Sequence, residues 1–188
     1  MKKRGIIIAS FLLLAVLVMG VGFAALTDNL FIKGEATIST TSAQSNFDED
    51  VYFIAADEYA CTGSNTTKDS AVIGSTDNDS ATFNVKSLGN QGEQVTFVFT
   101  IQNDSTEFDA SISLDTGFPS NTNTEYFTVT YSIEADGVAN TGPIVCAAGK
   151  TVDVYVTVVL NKSPSENVTA AFNVNLTATS QPKATTGV

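Results

Sequence analysis

The chain has 188 residues, 20 acidic against 9 basic, and a formal charge of −11, with no His, no Trp, two Cys and two Met. Without His, neither a Ser-His-Asp triad nor a His-bearing zinc peptidase site can be assembled, and Arg4 as the lone arginine offers no guanidinium clamp for phosphate. The excess of carboxylates also repels nucleic acid, whose binding needs Lys and Arg against the phosphates, so composition points to a structural or binding role outside the cell.

Lys2, Lys3 and Arg4 precede an apolar run from Ile6 to Phe23, with small residues at Gly22 and Ala24. That arrangement predicts a signal peptide over residues 1–24, cut between Ala24 and Ala25 by a signal peptidase, and hence a secreted protein. Two other readings fit the same residues. An apolar run of about 18 to 20 residues is long enough to stay in the bilayer as an anchor. Cleavage after Gly5 would turn the run into a prepilin assembly helix, although Ser10 stands where such leaders carry an acidic residue. Removing 24 of 188 residues leaves 164, enough for one domain. It also removes three positive charges and no negative ones, which moves the formal charge from −11 to −14.

From residue 25 onward the apolar residues recur in steps of two, and no segment shows a convincing helical period. The first extended segment is 30–40, with Leu30, Ile32, Ala36 and Ile38 in one phase and Gly34 between them. A short strand over 51–56 follows, then a polar, turn-rich stretch over 61–80 that predicts a surface excursion touching the body through 71–74. After a short strand over 81–87 comes the clearest one, 93–102, with Val95, Phe97, Phe99 and Ile101 in phase before the turn residues Asn103-Asp104-Ser105. Its expected hairpin partner is 107–114, in phase through Phe108, Ala110, Ile112 and Leu114. Strands over 126–134, 151–160 and 168–178 complete the set, and the aperiodic residues 181–188 predict a flexible tail. Some eight strands, each with one buried face, predict an all-β, two-sheet jelly-roll-like sandwich over residues 25–180.

Cys61 and Cys146 predict one disulfide if the chain reaches an oxidising compartment. Such a link would contribute on the order of 4 kcal/mol by restricting the unfolded chain. Two free thiols are the alternative. The acidic clusters are Asp48-Glu49-Asp50, Asp57-Glu58, Asp77-Asn78-Asp79, and Asp104 with Glu107 and Asp109. Asp77-Asn78-Asp79 is the best calcium candidate, yet the DNDSATF stretch lacks the Gly and the distal Glu of an EF-hand loop. The plainer reading is solvated charge that keeps the protein soluble and guards sheet edges, and no catalytic residue, metal ligand or cofactor is expected. Tyr52, Phe53, Tyr59, Tyr126 and Tyr155 are candidates either for a sugar or partner platform or for core filling.

Four stretches in this order, FAALTDNLFIKGEATIS, SATFNVKSLGNQGEQVTFVFTIQNDSTEFDASIS, AAGKTVDVYVTVVLNKSP and VTAAFNVNLTATS, resemble the TasA and camelysin family of secreted proteins from Gram-positive bacteria. The likeness runs over nearly the whole chain, and the leader resembles those processed by that family's dedicated signal peptidase. The resemblance implies a jelly-roll subunit that polymerises into fibres of the biofilm matrix, its freed N-terminal segment leaving its own subunit to complete a sheet in the next. Carried to this chain, the donor strand is 25–41, with Leu30, Ile32, Gly34, Ala36 and Ile38 along it, and the partner is a second copy. Strand addition takes its affinity from main-chain hydrogen bonds and its specificity from alternate side chains. A head-to-tail contact of this kind does not close on itself and yields a filament.

An ordinary first strand paired within its own sheet is the alternative for the same residues. Camelysin relatives carry a metallo-endopeptidase label, and this chain departs from it in having no His for zinc. Carboxylates alone would favour a hard cation such as calcium. If the leader is retained, the same fold reads as a surface-anchored adhesin or binding module.

Overall fold

Alternating apolar and polar residues place every second side chain on one face of an extended strand, and two such faces bury each other as a sandwich. The structure, a computed structural model, describes residues 31–41, 47–64, 69–74, 78–165 and 168–184. The leader, the Ala24/Ala25 cleavage point and Leu30 lie outside those residues. Twelve strands and one helical turn are described. They are β1 (Phe31–Thr41), the turn α1 (Phe47–Asp50), β2 (Val51–Cys61), β3 (Ser70–Ile73), β4 (Ser80–Val85), β5 (Gln94–Asn103) and β6 (Phe108–Leu114), followed by β7 (Ser120–Asn121), β8 (Phe127–Ala135), β9 (Val138–Asn140), β10 (Ile144–Cys146), β11 (Lys150–Leu160) and β12 (Thr169–Pro182).

One sheet has the strand order β10-β6-β12-β1-β4-β3, with β7 also paired to β12, for seven strands; the other runs β2-β5-β11-β8-β9. The chain is therefore an all-β, two-sheet sandwich. Phe83, Phe172, Val174 and Leu176 face inward from the larger sheet, and Phe97, Phe99, Val154 and Val156 from the smaller, all of them buried. The Phe83 ring lies 4.9 Å from Phe97 and 5.9 Å from Phe99, and Phe127 meets Phe172 edge to face at 5.6 Å, so aromatic contacts join the two sheets at two places. Each of these rings contributes on the order of 2 to 3 kcal/mol by leaving water.

The expected hairpin of 93–102 with 107–114 does not form. β5 pairs instead with β2 and β11, while β6 lies in the other sheet beside β12 and β10. Asn103 explains the change of sheet. Its side-chain carbonyl accepts from Ser105 N at 3.1 Å, and its amide donates to Phe108 O at 3.1 Å and Cys146 O at 3.0 Å. The turn is thereby fastened across the sandwich rather than back onto β5.

The excursion between Cys61 and Ser80 does touch the body: β3 pairs with β4, and the buried Asp69 carboxylate accepts from Ser87 N at 2.9 Å, Lys86 N and the Ser87 hydroxyl. The tail starts later than expected. β12 continues through Gln181 and Pro182, opposite Asp109 and Phe108, and Ala184 N donates to the Asp109 carboxylate at 3.0 Å. Residues 185–188 lie outside the described residues.

Candidate functional site

β1 is the first described element in the chain, and it sits in the interior of the larger sheet. All 11 of its residues run parallel to β12, from Phe31 opposite Thr169 to Thr41 opposite Thr179. Its other edge pairs antiparallel with β4, from Ile32 opposite Val85 to Thr37 opposite Ser80. Of the strand pairs described, β1 with β12 is the parallel one, and the rest are antiparallel. Withdrawing β1 would leave the edges of both β12 and β4 unpaired.

Ile32, Gly34, Ala36 and Ile38 take alternate register positions along β1. Ile32 stands in register with Ala170 and Val85, Gly34 with Phe172 and Phe83, Ala36 with Val174 and Ala81, and Ile38 with Leu176. Every one of those partners is buried, and so are Gly34 and Ile38. Phe83 lies across Gly34 so closely that a Cβ there would stand 1.9 Å from the ring Cζ. Two further contacts fix the strand lengthwise. Thr37 Oγ1 donates to Asn175 Oδ1 at 3.0 Å, and Ile38 N donates to Asp79 O at 2.9 Å. The slot thus has a matched point for glycine, one for a hydroxyl and one for an apolar side chain. A slip of one residue would turn the inward phase outward, and a slip of two would bring Ile32 or Ala36 against Phe83. Phe83 and Asn175 were not legible as slot residues, because period-two alternation identifies a face and not the strand that adjoins it.

The disulfide expectation is overturned: both cysteines are free. Cys61 ends β2 opposite Val95, whereas Cys146 lies at the Asn103 end of β5, whose side chain donates to its carbonyl. Eight residues of extended strand separate those two points, about 27 Å, far beyond the Cα separation a disulfide spans. Cys61 Sγ instead accepts from Gly63 N at 3.1 Å and lies 3.1 Å from Ser87 Oγ. Cys146 Sγ donates to Lys150 O at 3.2 Å.

Among the described residues no three His, Cys, Asp or Glu side chains gather as a group able to hold a metal. Asp77 of the calcium candidate lies outside them. Of its neighbours, Asn78 O accepts from Phe53 N at 3.0 Å and Asp79 O from Ile38 N, so both carbonyls serve strand edges.

The five aromatics separate into different environments. Phe53 is fully buried against Phe99, which removes it from any surface platform. Tyr52 donates its hydroxyl to Asp104, a bond that raises its pKa. The ring of Tyr126 carries the Lys162 ammonium 5.2 Å from its centroid, and that ammonium pairs with Glu125 at 2.8 Å. Tyr59 and Tyr155 come together on the outer face of the smaller sheet, with ring centroids 5.0 Å apart and planes at 77°.

Comparison of the sequence with protein-family models and with curated proteins finds no match.

Proposed function

We propose that the chain is a secreted structural subunit of an extracellular fibre, polymerising when β1 leaves its own sheet and enters the slot between β12 and β4 of another copy. The observation that carries this reading is the place of β1: the first described strand, held in mid-sheet with a paired neighbour on either edge. Because the donated strand would make the same contacts in the next subunit, exchange costs little beyond association, which is the ordinary economy of strand swapping. Strand addition of this kind uses main-chain hydrogen bonds and small pockets and needs no reactive side chain, which suits a chain without His. The resemblance to TasA-like proteins and the leader over residues 1–24 support the extracellular, matrix-forming setting.

A lock on β1 tests the reading. Thr37 and Asn175 are directly opposed on neighbouring strands, about 4.8 Å apart and within disulfide reach. Thr37→Cys with Asn175→Cys, in a background of Cys61→Ser and Cys146→Ser, should stay monomeric in sedimentation when oxidised and form fibres in negative-stain images once reduced. Fibres that grow equally well from fully oxidised protein would refute strand donation.

A further inference from the structure

The outer face of the five-stranded sheet carries a second candidate site, on the opposite layer from the β1 slot and independent of polymerisation. β2, at the edge of that sheet, has irregularities between Phe53 and Ala55 and between Glu58 and Ala60. A β-bulge re-aims the side chain inside it, and the second one holds Tyr59. Tyr59 is 64% exposed, and its ring meets that of Tyr155 of β11 at 77°. Two aromatic rings, set edge to face, therefore stand together on an open face.

Carboxylates surround them. The row through Tyr155 is Asp57, Val98, Tyr155 and Ser132, and the adjoining row is Ala55, Thr100, Asp153 and Glu134. Neither row contains a basic residue. Burial raises the Tyr155 hydroxyl pKa first, and the negative charges of Glu134 and Asp153 raise it further, which places those carboxylates in the field of the ring. Hydroxyls continue on the other side. Thr96 and Thr157 bond at 2.8 Å with Thr130 next in the row, and Thr100 donates to Asp153 Oδ1 at 2.7 Å.

An ammonium group suits tyrosine faces and carboxylates together. The chain itself displays that combination elsewhere, where Lys162 lies over Tyr126 and pairs with Glu125. We propose that this face docks a polysaccharide of unacetylated amino sugars, its ammonium groups meeting Asp57, Asp153 and Glu134 while a sugar ring stacks on the exposed Tyr59, which Tyr155 braces edge to face. Charge complementarity selects the occupant: an anionic polymer is repelled by three carboxylates, and a neutral one engages only the rings. The rings stand on the open outer face of a sheet, which fits an extended polymer, and the row of Thr96, Thr157 and Thr130 supplies hydroxyl partners for sugar hydroxyls.

Calorimetric titration of the purified protein with a glucosamine hexamer, its fully N-acetylated counterpart and a lysine hexamer tests the assignment. The glucosamine hexamer should bind, more weakly as salt is raised, and about tenfold more tightly than the acetylated hexamer. Tyr59→Ala and Asp153→Asn should each weaken it by about fivefold to tenfold, with unchanged thermal melts, while Tyr59→Phe should bind as the parent does. Asp153→Asn keeps an acceptor for Thr100. Absence of glucosamine binding, or binding indifferent to Tyr59→Ala, overturns the proposal. Equal affinity for the lysine hexamer overturns it too, because the face would then read charge without the sugar.

Discussion

The Phe83 ring fills the volume in front of Gly34, leaving a β-carbon at that position only 1.9 Å from the nearest ring atom. The ring cannot yield cheaply, since it is itself packed on Phe97 and Phe99 inside the core. Gly34→Ala should therefore cost about 1 to 3 kcal/mol by overpacking, and Gly34→Val more. Phe83→Ala alone should cost about 3 to 5 kcal/mol, yet in combination with Gly34→Val the two losses should fall short of their sum. Urea unfolding of the two single variants and the double variant measures this, and strict additivity would show that the two positions do not share the space.

Asn103 holds three backbone groups at the junction between the sheets and is wholly buried. Asn103→Ala leaves Phe108 O, Cys146 O and Ser105 N without those partners and should cost on the order of 3 kcal/mol. Asn103→Asp should be no better, because it loses both donors and introduces a buried charge. Thermal melts of the two variants check the ordering.

Glu93 is the hub of the loop after β4. Its carboxylate accepts from Gly89 N at 2.7 Å, Asn90 N at 3.0 Å, Asn90 Nδ2 at 2.8 Å, Ser64 N at 3.2 Å and the Ser64 hydroxyl at 2.5 Å. Burial pushes its pKa upward, but the bonds from Ser64, Asn90 and Gly89 outweigh that and hold it at about 2, against 4.5 for a free side chain. A lowered folded-state value means the stabilisation is complete above the unfolded value and is lost as pH falls from about 4.5 toward 2. Since Glu93 is half-buried and solvent screens part of this interaction, Glu93→Gln should cost only about 1 kcal/mol at neutral pH. The difference from the parent should shrink steadily in melts taken from about pH 5 down to about pH 2.

The two thiols should react very differently. Cys61 is exposed, whereas Cys146 is buried, and burial is the first cause that pushes its thiol up to about 11, with Asp109 and Asp136 adding to it against a bond with Asn103. At pH 8 an aromatic disulfide reagent should modify one thiol per native chain and two in denaturant. Two unreactive sulfurs in denaturant would restore the disulfide.

Much of the fold was legible because period two is a local property. Val95, Phe97, Phe99 and Ile101 face one way whatever lies beside them, and each of them is buried. Partner choice was not legible, since β6 would show the same alternation beside β5 as it does beside β12. The cysteine pairing failed for the same reason: composition counts two sulfurs but carries no distance between them. Of the slot, one half was readable. Gly34 stood out as a gap in an apolar phase, while the ring that needs the gap comes from Phe83, 49 residues along the chain, and nothing local links the two. The tyrosine platform depended on an extra residue in β2, a feature that a strict alternation cannot foretell.

The parallel course of β1 and β12 gives the molecule a polarity. Phe31 enters beside Thr169, and the chain leaves β12 at Pro182, roughly 40 Å away at the far end of the sandwich. Whatever precedes β1 and whatever follows Pro182 therefore emerge from opposite poles. Cargo fused behind the last strand would ride clear of the end where β1 starts, so the protein is suited to displaying a passenger without obstructing its own first strand.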